Sequence, residues 1–138
     1  MRILVTGPSG AIGAALARSL GGEHELRGLS RDPSRVAADL PLELFRGDAI
    51  SGEGLEAALA DVEVAYYLIH SMEPAADTGF EQRDRLAAER FALAAARAGV
   101  GRIIYLGGLG DPQQALGDYT AARRMLNLHR ACPGCFSS

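Results

Sequence analysis

The sequence has little of what membrane proteins, nucleic-acid-binding proteins and secreted proteins need. No apolar run reaches the roughly 18 residues of a membrane-spanning helix. Met1 and Arg2 lead directly into a short apolar run instead of a secretory leader. A net charge of −3 over 138 residues provides no basic surface for a polyanion. We therefore expect a cytoplasmic protein whose partners include neither a membrane nor a nucleic acid.

Cysteine is also scarce, since Cys132 and Cys135 are the only two in the chain. Their Cys-Pro-Gly-Cys spacing occurs in zinc sites and in thiol exchange. A tetrahedral zinc ion needs about four ligands, and no second cysteine pair exists, although His129 lies nearby. A redox pair normally opens a helix after a strand and does not sit in a tail. We therefore expect no metal site.

Apolar runs alternate with amphipathic segments along the chain. Strands are predicted near residues 3–5, 25–29, 42–45, 62–69 and 102–106, and helices near 11–20, 34–39, 51–59, 78–98 and 119–129. Residues 64–69 are almost all apolar, as in strands buried on both faces of a parallel sheet. This order predicts an α/β fold, namely a Rossmann-like, doubly wound parallel sheet of about five strands.

Helix faces and caps follow from the same patterns. The first helix should bury one face, made of Ile12, Leu16 and Leu20. Ser51 is expected to cap the helix after the third strand, and its inward residues should be Leu55, Ala58 and Leu59. Mixed charges on the long helix, such as Glu81 with Arg85, predict a solvated face. A self-association surface, as in a homodimer, is the alternative.

Three glycines, Gly7, Gly10 and Gly13, join the first strand directly to the first helix. A helix that starts so sharply leaves its first N–H groups unpaired at one spot, which attracts an anion such as the pyrophosphate of a dinucleotide. Gly7 allows the turn and Gly10 lets the phosphates approach the main chain. Gly13 lets the helix pack tightly on the strand. A merely flexible turn is the alternative.

The end of the second strand predicts which dinucleotide binds. An NAD site places an acid about 20 residues past the glycines, whereas this chain has Ser30 and Arg31 there. The guanidinium of Arg31 can bind a 2′-phosphate, with the hydroxyl of Ser30 and the charge of Arg35 in support. We therefore expect NADP. Asp32 keeps NAD open, and Arg31 could instead be a solvated loop residue.

Two further polar residues end strands at the same edge. Asp48 follows the third strand, where it could accept from the adenine amino group or equally cap the next turn. His70 follows the fourth strand, and its unperturbed pKa of about 6.5 suits proton transfer. A lone histidine at a strand end is, however, more often structural.

The glycine segment, residues 6–13, resembles the glycine motif of the extended and atypical short-chain dehydrogenase/reductases. Residues 30–33, 47–48, 65–71 and 102–110 are similar to a narrower, NmrA-like, NAD(P)H-binding branch, which is related to a nucleotide-binding subunit associated with complex I. The resemblance implies a Rossmann domain over residues 1–110. It also implies that NADP(H) is held by Gly7, Ser9, Gly10, Ile12, Arg31 and Asp48. Leu68 and the stretch from Leu106 to Gly108, which includes Gly107, would face the nicotinamide side.

The chain departs from this pattern at the catalytic positions. Active short-chain reductases carry a serine after the fifth strand and a Tyr-x-x-x-Lys pair. Here Gly107 and Gly108 occupy the serine region, and the nearest match to the pair is Tyr119 with Arg123. A guanidinium is not interchangeable with a lysine ammonium. Tyr119 and Arg123 are therefore catalytic candidates only, and a surface tyrosine is the alternative.

Residues 111–138 fit the family poorly and are expected to be a helix and an irregular tail of the same domain. Family members continue into a substrate-binding region, so we expect a domain truncated before that part. Three functions follow from the residues and the resemblance. They are an NADP(H)-dependent oxidoreductase acting on a small molecule, an NADP(H)-sensing module that regulates a protein partner, and an incomplete fragment with little activity.

Overall fold

A computed structural model of the protein describes residues 1–69 and 79–106. Its strands are β1 Arg2–Thr6, β2 Glu25–Ser30, β3 Glu43–Arg46, β4 Val64–Tyr67 and β5 Arg102–Tyr105. Its α-helices are α1 Ala11–Leu20, α2 Leu55–Leu59 and α3 Gly79–Arg97, and a short 3-10 helix spans Pro33–Arg35.

The five strands form one parallel sheet in the order β3-β2-β1-β4-β5. The chain starts in the middle, builds outward to β3, and then crosses β1 to build β4 and β5 on the other side. In such sheets ligands bind beyond the carboxyl ends of the strands, where the strand order reverses. The predicted α/β fold, Rossmann-like and doubly wound, is confirmed.

Apolar side chains cover both faces of this sheet. Successive residues of a strand point to opposite faces: Ile3 packs in a cluster with Ala17 of α1, whereas Leu4 packs in a cluster with Phe91 of α3. The ring of Phe91 also lies 4.9 Å from that of Tyr67, centroid to centroid. Burial on both faces explains the unbroken apolar runs of the central strands.

The buried face of α1 differs from the predicted one. Its bounds are as predicted, but the buried residues are Gly13 and Ala17, and Ile12 is 57% exposed. Leu16 and Leu20 are only partly buried. At Gly13 the helix approaches the preceding turn so closely that a side chain would overlap the backbone of Gly7, whereas Ala17 packs in a cluster with Ile3.

The capping role predicted for Ser51 is wrong. Helix α2 begins at Leu55 behind Gly54, which has a left-handed φ of +74° that glycine adopts without strain. The hydroxyl of Ser51 instead accepts a hydrogen bond from the N–H of Glu53 at 3.2 Å, which shapes the preceding turn. The predicted inward residues of this helix are buried.

The short helix predicted at 34–39 is present only as the 3-10 helix Pro33–Arg35, which starts at Pro33 and is shorter than predicted. The carboxylate of Asp32 accepts from the N–H of Ser34 at 3.1 Å and so caps this single turn. Val36 then takes an extended conformation and ends the helix.

Several predictions concern residues outside the described ranges. They are the roles of His70, Gly107, Tyr119 and Arg123, the expectation that Cys132 and Cys135 form no metal site, and the tail at 111–138. The division of the chain into 1–110 and 111–138 likewise stays a prediction. Within residues 1–69 and 79–106, no helix is long and apolar enough to cross a membrane, and no cluster of metal-ligating side chains occurs.

Candidate functional site

The loop between β1 and α1 turns at Gly7, whose φ of +66° lies in the left-handed region. The N–H of Gly7 donates to the carbonyl of Leu29 at 3.2 Å, which ties the loop to β2. The N–H of Gly10 donates back to the carbonyl of Gly7 at 3.1 Å. The turn that the sequence predicts at Gly7 is therefore present and is held from two sides.

Helix α1 begins immediately behind this turn and has no side-chain cap. Its first backbone hydrogen bond runs from the N–H of Ala14 to the carbonyl of Gly10 at 2.9 Å. No described residue accepts from the N–H groups of Ala11, Ile12 or Gly13. These groups and the helix dipole make the start of α1 attractive to an anion such as a phosphate.

Gly10 and Gly13 are glycines for different reasons. A methyl group at Gly13 would overlap the carbonyl oxygen of Gly7 and would lie 3.0 Å from the Cα of Pro8, so the loop itself excludes a side chain there. A methyl group at Gly10 would meet the same oxygen at 3.5 Å, an ordinary contact. The fold therefore tolerates a side chain at Gly10, and any need for glycine there arises from what binds outside the loop.

Thr6 is part of this site although the sequence analysis did not select it. It is fully buried. Its hydroxyl donates to the carbonyl of Tyr66 at 3.1 Å and accepts from the N–H of Leu68 at 2.8 Å. One side chain thus ties the end of β1 to the end of β4 and fixes Leu68 beside the glycine loop. The sequence did contain a signal for this role, namely a hydroxyl residue directly after the apolar residues of β1.

The end of β2 carries the groups predicted to select the cofactor. Arg31 is exposed, and no ion pair holds its guanidinium within the part of the chain that the structure describes. Ser30 is 9% exposed, and its hydroxyl donates to the carbonyl of Asp32 at 3.1 Å. The hydroxyl of Ser30 therefore supports the turn that presents Arg31.

The carboxylate of Asp32 is engaged within the same turn. One oxygen accepts from both the N–H and the hydroxyl of Ser34. These hydrogen bonds lower the pKa of Asp32, and the charges of Arg35 and Arg46 act in the same direction. Asp32 is therefore an ionised capping residue among arginines.

Asp48 shapes the turn after β3. Its Oδ1 accepts from the N–H of Ile50 at 2.8 Å, and its own N–H donates to the carbonyl of Glu53 at 2.9 Å. Arg90 of α3 donates to the carbonyl of Ile50 and so ties the helix to this turn. The capping role predicted as one alternative is present, and the adenine-binding role stays a prediction.

The described candidates therefore fall into two groups at one edge of the sheet. The glycine loop and its rim bring together Gly7, Ser9, Gly10, Ile12, Gly13 and Leu68. The ends of β2 and β3 present Ser30, Arg31, Arg35 and Asp48. Within residues 1–69 and 79–106, the start of α1 has no side-chain cap, and the exposed guanidinium groups of Arg31 and Arg35 at the same edge of the sheet form no ion pair.

The comparison that decides the family covers most of the chain. Residues 7–131 match the family model described as NAD(P)H-binding. The chain belongs to this NAD(P)H-binding family. The predicted membership of an NAD(P)H-binding family is thereby confirmed, and the NmrA-like branch stays a prediction.

Three known proteins illustrate the relationship. A 3-beta-hydroxysteroid dehydrogenase of Mycolicibacterium neoaurum is 37% identical over 67 residues, which are 48% of this chain and 18% of that protein. A short-chain dehydrogenase/reductase superfamily protein from Agrobacterium tumefaciens, solved with bound NAD, aligns with a TM-score of 0.74 at 21% identity and covers 96% of this chain. The Citrobacter sp. triphenylmethane reductase, complexed with NADP(H), aligns with a TM-score of 0.68 at 24% identity and covers 90% of this chain.

The two solved structures establish the fold. This chain spans 46% of the length of each of them, and it spans 18% of the dehydrogenase.

Proposed function

We propose that this chain is the nucleotide-binding part of an NADP(H)-dependent oxidoreductase of the NmrA-like branch, acting on a small molecule. The observation that carries the proposal is the uncapped start of α1 behind Gly10, next to the exposed guanidinium of Arg31 at the end of β2. The first can hold the pyrophosphate and the second the 2′-phosphate. A cytoplasmic location belongs to the same proposal.

NADP is favoured over NAD because the nearby carboxylate of Asp32 is hydrogen-bonded within its turn and arginines surround it. An NAD site needs a carboxylate free to accept from the ribose 2′-hydroxyl. One oxygen of Asp32 is already engaged by Ser34, and Arg35 and Arg46 make the surroundings positive. A 2′-phosphate carries about two negative charges and suits these surroundings, although the NAD bound to the Agrobacterium protein keeps the alternative relevant.

Arg31→Ala tests the choice of cofactor. We expect the wild-type protein to bind NADPH at least about tenfold more tightly than NADH, a difference of about 1.4 kcal/mol. The variant should lose most of that preference and keep its NADH affinity, because only the 2′-phosphate contact is removed. Fluorescence titrations with both nucleotides measure this. Arg102→Ala, an equal change of charge at the opposite edge of the sheet, is the control, and an Arg31→Ala protein that keeps the preference would contradict the proposal.

Gly10→Ala tests the pyrophosphate site separately from the fold. Because the added methyl group meets the carbonyl oxygen of Gly7 only at 3.5 Å, the variant should melt close to the wild-type temperature. The same methyl group should keep a phosphate away from the N–H groups of α1. The affinities for NADPH and for NADH should therefore both fall by about tenfold or more. Thermal unfolding and nucleotide titration give the two results. Unchanged affinity in a folded variant would show that no phosphate lies there.

A second candidate function is an NADP(H)-sensing module that regulates a protein partner. It is favoured by one observation, that the chain contains no lysine, so the Tyr-x-x-x-Lys pair of active short-chain reductases is missing. A panel of carbonyl compounds incubated with NADPH separates the two functions. Turnover that is lost in Tyr119→Phe supports the oxidoreductase. Tight NADPH binding without turnover of any compound supports the sensor.

A further inference from the structure

The sheet register places Arg46 at the edge where β2 ends and Arg31 follows. Arg46 is the last residue of β3, and the register pairs it directly with Ser30, the last residue of β2. Paired residues of neighbouring parallel strands lie side by side and project to the same face of the sheet. Arg46 therefore lies next to the turn that presents Arg31, although the two residues are far apart in the sequence.

The arginines of this edge differ from four other described arginines, whose charges are paired with carboxylates. Arg2, Arg18, Arg27 and Arg85 each form an ion pair with a carboxylate. Within residues 1–69 and 79–106, no such pair is formed by Arg31, Arg35 or Arg46, and all three are exposed. Two acids share this edge with the three arginines: the carboxylate of Asp32 caps the turn through Ser34, and that of Asp48 accepts from the N–H of Ile50. The edge therefore carries an excess of positive charge.

The effect of Arg46 on its surroundings agrees with this placement. Its charge and that of Arg35 contribute to the lowered pKa of Asp32, after the hydrogen bonds from Ser34. Arg46 and Arg35 thus flank the same turn from two sides, one from the neighbouring strand and one from the 3-10 helix. An anion placed over this turn would be near a guanidinium on each side.

We propose that Arg46 is a specificity-determining residue for the cofactor, a second guanidinium that binds the 2′-phosphate of NADP(H) from the β3 side. The inference rests on the proposed function and deepens it. A phosphate dianion offers three acceptor oxygens, so one arginine leaves acceptors unused, and a second fork of donors from the next strand can take them. The competing role is that of a solvated charge that keeps the edge strand β3 from pairing with other chains.

Arg46→Gln is the test, since glutamine keeps much of the aliphatic stem and removes the charge. We expect the variant to bind NADPH about three- to tenfold more weakly than the wild type, with NADH affinity changed by less than about twofold. Arg102→Gln, at the opposite edge of the sheet, should leave both affinities unchanged. Fluorescence titration at low and at high salt should show the preference for NADPH shrinking with salt in the wild type and less so in the variant.

The outcomes separate this inference from the proposed function. A wild-type protein without any preference for NADPH would overturn both. A wild-type preference that falls in Arg31→Ala but not in Arg46→Gln would overturn only the role of Arg46. Equal weakening of NADPH and NADH in Arg46→Gln would also overturn it, because a structural defect has no reason to depend on the 2′-phosphate. The Arg31→Ala, Arg46→Gln double variant tests whether the two arginines bind the same phosphate. A loss of NADPH binding free energy that differs from the sum of the two single losses would support this.

Discussion

Replacing Gly13 by alanine is expected to lower the free energy of unfolding by about 2–3 kcal/mol, the usual effect of forcing a methyl group into a filled site. The new methyl group would overlap the carbonyl oxygen of Gly7 and crowd the Cα of Pro8. Both are backbone atoms, which cannot turn away as a flexible side chain does. Urea unfolding of the variant and the wild type measures the difference.

The same substitution should also abolish nucleotide binding, because moving Gly7 and Pro8 moves the N–H groups that face the phosphates. Gly22→Ala is the matched control. It lies just after α1, and an added methyl group there meets nothing within 4 Å, so its stability should change by less than about 0.5 kcal/mol. A Gly13→Ala protein as stable as this control would mean that helix and turn do not approach so closely.

Replacing Thr6 by valine is expected to have the second large effect, a loss of about 2–4 kcal/mol of stability, since a buried group left unpaired costs about 1–3 kcal/mol. Valine has nearly the same shape as threonine, so the packing is kept. It removes the acceptor for the N–H of Leu68 and the donor to the carbonyl of Tyr66. Urea unfolding gives the stability, and NADPH titration shows whether the end of β4 still supports the site.

Thr6→Ser is the control that separates the hydroxyl from the methyl group. It keeps both hydrogen bonds and loses one methyl group, so it should cost no more than about 1 kcal/mol. Equal destabilisation by valine and serine would contradict the role given to the hydroxyl. A stable valine variant with weakened NADPH binding would instead place the effect of Thr6 in the site alone.

The fold was predictable from the sequence because its main signals are local. Each apolar run of a strand and each amphipathic run of a helix is visible within about ten residues. Alternation of the two kinds of segment leaves a parallel sheet with crossover helices as the expected arrangement. The observed strands differ from the predicted ones mainly in their ends; the predicted strand at 62–69, for example, is reduced to Val64–Tyr67.

The errors occurred where close packing overrides local pattern. Ile12, Leu16 and Leu20 have helical spacing, but the buried residues of α1 are Gly13, which lies against the turn, and Ala17, which packs in a cluster with Ile3. Ser51 has the chemistry of a helix cap, but the left-handed Gly54 starts α2 three residues later. Neither the approach of a helix to its turn nor a helix start set by a glycine can be recognised from side-chain periodicity alone.

The sequence by itself determined the glycine loop, the strand that leads into it and Arg31 at the end of the second strand, because these depend on neighbours within a few residues. Only the tertiary structure decided that Thr6 would hold Leu68, 62 residues away, and that Arg46 would lie beside Ser30. Such pairs depend on the register of strands that are distant in the chain, and register is fixed by the packing of the whole sheet. The glycine loop therefore follows from the local sequence, whereas the position of Arg46 beside the end of β2 follows from the tertiary structure.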